Sequence, residues 1–314
     1  MNKILCIGEA LIDMICTDKG KSLSEGENFL KKPGGAPTNV AAAIAALGGQ
    51  VELAAKLGTD PFGQHLVEVM KGFGVGTAYM LRDADHFTTF AFVSLMENGE
   101  RDFYFNRGAD GQLNTNDIAQ INLEEISLVH FGSATAFMPG PLQEAYTWLL
   151  QQARARNRFV SFDPNYRHLL FRNNRASFIE QSWHFLENCD FFKVSDEEAL
   201  LLTGAADPEQ AAQQFLEKTP AVFAITLGKD GTLLGREGRT TIIESIAVNP
   251  VDTTGAGDAF VGAILYQLTT ADPVQRNQAD WEGMIRNANR AGARTCEYLG
   301  AMEAFKHLNK NIFK

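Results

Sequence analysis

Most of the chain alternates short apolar runs with longer segments of helical pattern. Strand-like runs cover residues 3–8, 51–58, 128–132, 159–163, 190–195 and 222–227. Helical patterns lie between several of them, at residues 60–73, 141–156, 176–187 and 196–204. A chain that alternates strand and helix in this way is typical of a doubly wound α/β domain.

The pattern near the N-terminus departs from this alternation. Residues 10–15 continue in an extended style, and the polar residues 17–32 suit a loop or an exposed edge. Residues 33–39 then open a helix that stops at Gly48, a normal C-terminal cap signal.

A second β-rich element follows at residues 87–96 and 101–107, two aromatic runs around the turn 97–100. Because that turn contains Asn-Gly, the pattern predicts a β-hairpin. Its aromatic side chains are suited to covering a binding site or to contacting a partner chain. Since no linker rich in Pro or Ser divides the chain, we expect one domain with an inserted β element.

The C-terminal part repeats the strand-to-helix order. Residues 240–248 read as a strand, residues 251–258 as a turn of small residues, and residues 259–266 as the apolar part of a helix. A further helix is predicted at residues 281–299.

Composition narrows the class of protein. The 314 residues are 45% hydrophobic and 21% charged, as in an ordinary globular protein. The net charge of −10 argues against nucleic acid or an anionic membrane as the main partner. The four cysteines have no C-x-x-C spacing, which indicates free thiols in a reducing compartment. We expect a cytoplasmic protein, because the sequence shows neither a signal peptide nor a membrane-spanning run.

Several common functional motifs are missing from the sequence. There is no G-x-x-x-x-G-K-[ST], no G-x-G-x-x-G after the first strand and no G-x-S-x-G. The six histidines are scattered without metal-ligand spacing. These absences argue against a P-loop enzyme, a dinucleotide-binding enzyme, a serine hydrolase and a histidine metal site.

The turn at residues 251–258 is the strongest candidate for chemistry. The first N–H groups of a helix lack intrahelical partners and, with the helix dipole, attract anions such as phosphate. Asp258 lies inside this turn, where a carboxylate suits proton abstraction from a hydroxyl that attacks phosphate. We interpret Gly255 to Gly257 as an anion hole and Asp258 as a general base. The alternative is an ordinary turn with a capping Asp.

Three further positions carry polar groups where a ligand could bind. Asp13 stands in an apolar run, so it lies either at a strand end in solvent or against a polar ligand. Asn39 follows two glycines and either caps the helix or binds a polyol. Residues 163–167 place polar groups at the carboxyl end of a predicted strand, where open α/β sheets bind ligands.

Taken together, several motifs resemble those of the ribokinase-like (PfkB) carbohydrate kinases, and within them the fructokinases. The later signature is Asp252-Thr253-Thr254-Gly255-Ala256-Gly257-Asp258-Ala259-Phe260. The earlier one is Gly34-Gly35-Ala36-Pro37-Thr38-Asn39-Val40-Ala41, in the form typical of fructokinases. Gly8-Glu9-Ala10-Leu11-Ile12-Asp13 and residues 163–167 and 193–198 also resemble that subgroup.

The resemblance runs from Gly8 to Ala301 and implies a fold. That fold is a three-layer, doubly wound α/β architecture around a mostly parallel sheet, with a small β-sheet lid. The lid would be formed by segments at roughly residues 13–33 and 86–108, inserted in a single kinase domain of residues 1–314.

The resemblance also implies roles for matching residues. Asp258 would be the base, the backbone of Gly255, Ala256 and Gly257 the anion hole, and Arg167 a phosphate-side cation, with a surface ion pair as its alternative. The implied sugar-binding residues are Asp13, Gly34, Gly35, Asn39 and Asn165, together with Phe103, Phe105 and Arg107 of the lid hairpin.

ATP and cation sites are implied in the same way. The ATP-binding residues would be Lys193, Ser195, Thr226, Gly228, Gly231 and Asn289. Glu198 would order Mg²⁺ through water, whereas Ser195 stands where the family has Asn, which leaves its role open. A K⁺ site would use Asp252, Thr254, Thr295 and Gly300, although residues 302–304 lack the Pro and Ser seen in ribokinases.

The expected activity is transfer of phosphate from ATP to D-fructose, which yields fructose 6-phosphate and ADP. The same chemistry on 2-keto-3-deoxygluconate, ribose or an aminoimidazole riboside is the nearest alternative. A catalytically inactive, kinase-like binding protein is the alternative from another class, and the presence of Asp258, Gly255 and Gly257 argues against it. We expect a small sugar as partner and a homodimer formed through the lid.

Overall fold

The computed structural model describes residues 2–96, 101–270, 276 and 279–313. The predicted hairpin turn at residues 97–100 lies outside these residues. In chain order the strands are β1 (Lys3–Ile7), β2 (Leu11–Cys16), β3 (Phe29–Gly34), β4 (Val51–Gly58), β5 (Met80–Asp83), β6 (Phe90–Leu95), β7 (Arg101–Asn106), β8 (Ile126–Phe131), β9 (Phe159–Phe162), β10 (Phe191–Ser195), β11 (Val222–Thr226), β12 (Thr232–Arg236) and β13 (Arg239–Ile243).

The helices between them begin mostly at Pro or at a capping Asp or Ser. Asp60 and Asp207, for example, accept hydrogen bonds from first-turn N–H groups and are each followed by Pro. In chain order they are α1 (Ala36–Ala46), α2 (Pro61–Phe73), α3 (Thr115–Ile118), α4 (Pro141–Ala155), α5 (Arg175–Leu186), α6 (Asp196–Thr203), α7 (Pro208–Lys218), α8 (Ala256–Thr270), α9 (Trp281–Thr295) and α10 (Ala301–Phe305).

A nine-stranded main sheet runs in the order β13-β12-β11-β10-β9-β8-β1-β4-β5. The strands from β11 to β5 in that order are parallel, and β12 and β13 add antiparallel strands at one edge. The carboxyl ends of the parallel strands therefore lie along one edge of the sheet, where ligands bind in folds of this class.

Two hydrophobic cores cover the two faces of the main sheet. Along β1, Ile4 and Cys6 pack into the core beneath α1, α8 and α9. Leu5 and Ile7 point the other way, into the core beneath α4 to α7. This alternation with period two is what a strand buried on both faces requires. The predicted three-layer, doubly wound α/β fold is confirmed.

A small sheet of four strands lies beyond the carboxyl ends of the main sheet's strands, in the order β3-β2-β6-β7. Its outer pairs are antiparallel, and β2 pairs with β6 in parallel. Ile12 and Met14 of β2 pack on the core around α1, and Phe90 of β6 meets Phe62 of α2 with ring centroids 4.9 Å apart. We call these four strands the small sheet.

Some elements differ from their prediction. Residues 29–34 form the edge strand β3, which agrees with the exposed edge predicted for residues 17–32 and adds residues 33 and 34, where the start of a helix was predicted. β13 ends at Ile243 rather than at residue 248, because Ile243 pairs with Thr232, the first residue of β12. α9 ends at Thr295 rather than at residue 299, and the carbonyl of Cys296 accepts the N–H groups of Val251 and Asp252 instead.

Within the described ranges, none of the helices combines the length and apolar character needed to cross a membrane.

Candidate active site

The turn before α8 has the geometry expected of an anion site. Gly255 has φ +82°, a conformation that favours glycine, and a Cβ there would overlap Ala301. The helix begins at Ala256, whose N–H donates to the carbonyl of Thr253 over 3.2 Å, and the Ala259 N–H donates to the carbonyl of Gly255 over 2.8 Å. The N–H groups between them, of Gly257 and Asp258, belong to the first turn, whose N–H groups lack intrahelical acceptors. Asp258 lies in this first turn and is half-buried.

Asn39 and Asp258 face each other across α1 and α8. The Nδ2 of Asn39 donates to the Oδ2 of Asp258 over 2.8 Å. The two helices approach closely at Gly262, where a Cβ would lie 2.8 Å from the Cβ of Ala43. Asn39 is 8% exposed, and no donor in the described part of the chain reaches its Oδ1. That buried oxygen is ready to accept a hydrogen bond from a ligand hydroxyl.

The surroundings of Asp258 change its acidity. Burial raises the pKa of the Asp258 carboxyl, while the hydrogen bond from Asn39 and the charges of Arg167 and Lys193 oppose that rise. A carboxylate with a raised pKa is a stronger base than an ordinary Asp, and this suits proton abstraction.

Asp13 lies on β2 beside the turn that opens α1. A Cβ at Gly34 would overlap the Asp13 carboxylate, so the close approach of strand and carboxylate requires glycine. Burial raises the pKa of Asp13 to about 6, against the opposing charge of Arg167. Because the guanidinium of Arg167 acts on both Asp13 and Asp258, the structure brings these three predicted residues together.

Asn165 is placed differently from the expectation of a sugar ligand. It is buried with φ +50°, its N–H donates to Asp163 over 3.1 Å, and its amide donates to the carbonyl of Gly132 over 3.1 Å. These bonds hold the turn after β9 in place, and only the remaining oxygen of the side chain could meet a ligand.

A cluster of buried charges lies at the ends of β9 and β10. The Nζ of Lys193 is 3.2 Å from Asp163 Oδ2 and 4.0 Å from Glu198 Oε2, and a Cβ at Gly257 would be 3.3 Å from it. Burial lowers the pKa of Lys193, but the three neighbouring carboxylates, which include Asp258, outweigh burial and raise it. Lys193 is therefore a cation beside the anion-attracting turn.

Ser195 and Glu198 form a capping box at the start of α6. Ser195 Oγ accepts the N–H of Glu198 over 3.1 Å, and the Glu198 carboxylate accepts the N–H groups of Ser195 and Tyr166, each over 2.8 Å. The serine that stands in place of the family's Asn thus has a structural role as the helix cap.

The predicted nucleotide residues line the end of β11 and the turn into β12. Gly228 and Gly231 both have positive φ, and the Leu227 N–H closes this turn by donating to Gly231 over 2.8 Å. Asn289 lies behind the turn, where it donates to the carbonyls of Ile243 and Glu244 and accepts from Thr232. Its amide therefore holds β12 and the segment after β13 together. Thr226 donates weakly, over 3.4 Å, to the Val194 carbonyl.

The predicted cation residues also converge. The Asp252 carboxylate accepts the N–H of Gly300 over 2.8 Å and the N–H and hydroxyl of Thr254 over 3.0 and 2.7 Å. Thr295 is buried one residue before Cys296, whose carbonyl accepts the N–H of Asp252, and its hydroxyl donates to Ala291. Carbonyl and hydroxyl oxygens, rather than a spare carboxylate, are what this loop offers to a cation.

Phe103 and Phe105 of β7 lie on one face of the small sheet, and Tyr104 lies on the other face beside Phe92 of β6. Phe103 and Phe105 stack with centroids 6.3 Å apart. The Arg107 guanidinium donates to the carbonyls of Pro139 and Thr135, over 3.1 and 3.2 Å, and pairs with Asp110 at 3.5 Å. Three of its five N–H donors are therefore used by the body of the protein, and its role as a sugar-binding residue stays a prediction.

Two buried acids were given no individual role from the sequence. Asp163, the first residue of the polar segment 163–167, is 3% exposed beside Lys193, and Glu9 is 1% exposed behind the turn that opens α1. Each is a charged residue that follows an apolar run, and a similar pattern marked Asp13 as a candidate.

Comparisons with known proteins bear on this site. Residues 1–308 match the family described as pfkB family carbohydrate kinase. Fructokinase-1 of Oryza sativa subsp. japonica is 35% identical over 305 residues, which cover 95% of this chain and 93% of that protein.

Two solved structures are similar over nearly their whole length. A fructokinase from Xylella fastidiosa with bound ATP has a TM-score of 0.85 and 29% identity, and the match covers 99% of this chain and 96% of that one. A double mutant of fructokinase from Vibrio cholerae O395, bound to fructose, ADP and potassium ion, has a TM-score of 0.82 and 30% identity, with coverage of 100% and 97%.

Proposed function

This chain belongs to the pfkB family of carbohydrate kinases and is a sugar phosphotransferase, and we propose that it converts D-fructose and ATP into fructose 6-phosphate and ADP. The observation that carries the proposal is the pairing of Asn39 with Asp258 at the first turn of α8. The bond of 2.8 Å joins Asn39, whose Oδ1 is an acceptor for a sugar hydroxyl, to Asp258, the proposed base in the first turn of an anion-attracting helix.

The sugar lies, in this proposal, between the small sheet and the start of α1. Asp13 and the Oδ1 of Asn39 accept hydrogen bonds from its hydroxyl groups. Gly34 leaves room for the Asp13 carboxylate and Gly35 for the carbonyl of Glu9, so the two glycines hold the walls of the site close together. Phe103 and Phe105 cover its apolar face. The small sheet then serves as a lid within a single kinase domain that spans residues 1–314. The lid excludes water, which would otherwise accept the phosphoryl group.

The proton and charge steps are assigned to the main sheet. Asp258 takes the proton of the attacking hydroxyl while the oxygen forms its bond to the terminal phosphorus of ATP and the bond to ADP breaks. The N–H groups of residues 255–258 stabilise the negative charge on the transferring group. Lys193 and Arg167 add positive charge on either side of this turn.

ATP is proposed to lie along the carboxyl ends of β10 and β11, against the turn between β11 and β12. Lys193 would contact the phosphates of ATP. Thr226, Gly228 and Gly231 would contact its ribose and adenine. Ser195 and Asn289 contribute by shaping this wall, since their polar atoms already cap α6 and join the strands.

Mg²⁺ fits as an ion held mainly by ATP phosphates and water. No three His, Cys, Asp or Glu side chains in the described part of the chain are grouped so that they could hold a metal by themselves. Glu198 and Asp163 face Lys193 and can accept hydrogen bonds from such water, in keeping with the reluctance of Mg²⁺ to lose its hydration. The ion supplies charge neutralisation on the phosphates.

K⁺ fits the loop formed by Asp252, Thr254, Thr295 and Gly300, three of which are joined by hydrogen bonds. A monovalent cation there would orient the neighbouring anion turn. The Vibrio cholerae relative, whose structure contains potassium ion, supports this assignment.

Fructose is preferred among sugars because relatives at 33–35% identity are named fructokinases or probable fructokinases, and one similar fructokinase structure contains fructose. A coupled assay of ADP formation over fructose, ribose, 2-keto-3-deoxygluconate and an aminoimidazole riboside, with and without potassium, tests it. Turnover with another sugar and none with fructose would contradict the substrate. ATP binding without ADP release for any sugar would indicate a kinase-like binding protein. Stimulation by potassium over sodium is expected.

A homodimer through the small sheet is the proposed assembly. Ile15 and Leu30 are both 40% exposed and lie opposite each other on β2 and β3, and Leu95 is 60% exposed. Leu30→Lys should shift the sedimentation coefficient from dimer to monomer. The matched control Ile242→Lys, at a 56% exposed position on β13, should leave it unchanged. An unaltered coefficient in the first variant would argue against this interface.

A cytoplasmic location completes the proposal. Cys6, Cys16, Cys189 and Cys296 are all free thiols, which suits a reducing compartment.

A further inference from the structure

The chain crosses between the main sheet and the small sheet four times. The crossings are at residues 8–10 between β1 and β2, at Gly35 between β3 and α1, at residues 84–89 between β5 and β6, and at residues 107–108 after β7. Any change in the angle of the small sheet must pass through these crossings.

Glu9 joins the first two crossings. Its Oε1 accepts the N–H of Ala36 over 3.0 Å, and its own carbonyl accepts the hydroxyl of Thr38 over 3.0 Å. Gly35 packs directly against that carbonyl. The start of β2, which carries Asp13, is thereby tied to the start of α1, which carries Asn39.

Asp110 joins the other two crossings. Its Oδ1 accepts the hydroxyl of Thr89, which in turn accepts the N–H of Gly108 over 2.9 Å. Its Oδ2 lies 3.5 Å from Nε of Arg107. The entry to β6 and the exit from β7 are therefore held by one carboxylate.

Ser133 and Thr135, in the loop after β8, connect the two carboxylates. Ser133 Oγ donates to Oε2 of Glu9, and Thr135 Oγ1 donates to Oδ2 of Asp110 over 2.9 Å. The two hydroxyl oxygens are 3.3 Å apart, and the Thr135 N–H donates to Ser133 Oγ. We call Glu9, Thr89, Asp110, Ser133 and Thr135 the hinge network.

The hinge network is shielded from solvent. Its members are between 1% and 5% exposed. Two carboxylates in such a place are costly unless their hydrogen bonds are satisfied, so the network favours one arrangement of the crossings over others. The main sheet does not need these groups for its own pairing, since they lie beyond the ends of its strands.

We propose that Glu9 and Asp110, connected through Ser133 and Thr135, are positioning residues that fix the angle of the small sheet and with it the separation of Asp13 from Asn39 and Asp258. They do not touch the reacting atoms. The inference rests on the proposed function, because Asp13 and Asn39 are taken as the two sides of the sugar site.

Thr135→Val tests the connection with the least change in volume. The variant should raise the KM for the sugar about tenfold and leave the KM for ATP within about twofold, because one buried hydrogen-bonded link between the crossings is lost. Thr219→Val is the matched control, since Thr219 is also buried, donates to Leu186 and accepts from Ala221, far from the small sheet. The control should move neither KM.

Glu9 offers a test by conservative rescue. Glu9→Ala removes both the acceptor for Ala36 and the partner of Ser133, and it should raise the KM for the sugar at least as much as Thr135→Val. Glu9→Gln keeps an acceptor for Ala36 and a group that donates to Ser133, and it should recover most of the loss. Equal sugar KM values for the Gln and Ala variants would overturn the role of Glu9.

Hydrogen exchange separates this inference from the proposed function. In Thr135→Val the amides of β2, β3, β6 and β7 should exchange several-fold faster than in the wild-type protein, while those of β8 to β11 match Thr219→Val. A wild-type protein that turns over no sugar defeats the proposed function but leaves this measurement intact. Unchanged exchange in the small sheet, or equal loosening of both sheets, would overturn the hinge network.

Discussion

The strands of the main sheet are buried differently from those of the small sheet. This difference matches the separate roles proposed for the two sheets in the site. β1 and its neighbours are covered on both faces, by α1, α8 and α9 on one side and α4 to α7 on the other. The small sheet packs one face on the body and leaves apolar residues exposed on the face that carries Asp13. The proposed base Asp258 and the cation Lys193 thus belong to α8 and β10, within the layers that are covered on both faces, whereas Asp13 belongs to a sheet that is packed on one face.

This comparison predicts that mutations in the two sheets change different kinetic constants, the rate of transfer in one case and the binding of the sugar in the other. Groups on the main sheet and α8 act on the transferring phosphate, so that their loss lowers kcat. Groups on the small sheet act on the sugar, so that their loss raises the KM for the sugar and leaves ATP binding alone.

The largest effect is expected for Asp258→Asn. The amide keeps an oxygen that can accept the hydrogen bond of Asn39 and removes the base, so kcat should fall by about 10²- to 10⁴-fold, as for loss of a general base. ATP affinity, measured by calorimetry, should stay near the wild-type value. A variant with near-normal turnover would show that Asp258 is not the base.

Asp13→Ala should produce the next largest effect, on the other side of the comparison. Loss of a charge-assisted acceptor should raise the KM for the sugar by about 10²-fold, corresponding to about 2–3 kcal/mol. Steady-state kinetics with each substrate varied in turn measures the split. An equal rise in the KM for ATP would break the proposed division between the sheets.

Gly34→Ala sharpens the same division by steric means. The new methyl group would overlap the Asp13 carboxylate, and the forced shift should raise the KM for the sugar about tenfold. Gly72→Ala is the control, because a Cβ there meets nothing within 4 Å. The control should keep both KM values and gain about 0.5–1 kcal/mol in stability. Identical kinetics in the two variants would contradict the contact.

The smallest effect concerns pH. Asp13 is proposed to accept hydrogen bonds from sugar hydroxyls as the carboxylate, and burial raises its pKa to about 6, so protonation should weaken sugar binding as pH falls through that value. Between pH 7 and 5.5 the ionised fraction falls about fourfold, and the KM for the sugar should rise by that factor. Asp13→Asn should show a flat profile. Arg167→Gln, which removes the opposing charge, should move the rise to higher pH.

Much of the fold was predictable because the main sheet has a simple pattern of hydrophobic residues in the sequence. Its parallel strands are continuous apolar runs, and helices of ordinary length lie between them. The edge strands were harder to find. β12 lies between two turns and was not predicted, and neither was α7, whose sequence contains few apolar residues. β3 contains Lys31, Lys32 and Pro33, which is the composition of an exposed edge strand rather than of a core one.

The site was predictable where a motif joins residues that are neighbours in sequence. Residues 255–258 and 34–39 are of this kind. The pairing of Asn39 with Asp258 joins residues 219 positions apart, and periodicity carries no information about such a contact. The bonds from Arg107 to the carbonyls of Pro139 and Thr135 are of the same kind, because they join the hairpin to a loop that is distant in sequence.

The unfilled Oδ1 of Asn39 has a consequence for selectivity against deoxygenated sugars. A buried acceptor without a hydrogen-bond donor costs free energy, and a hydroxyl that donates to it removes that cost. A sugar analogue that lacks this hydroxyl leaves the cost in place and makes one hydrogen bond fewer. Sites built in this way reject the missing-group analogue far more strongly than an apolar pocket rejects a missing methylene. The discrimination is therefore set by the buried acceptor of Asn39 itself.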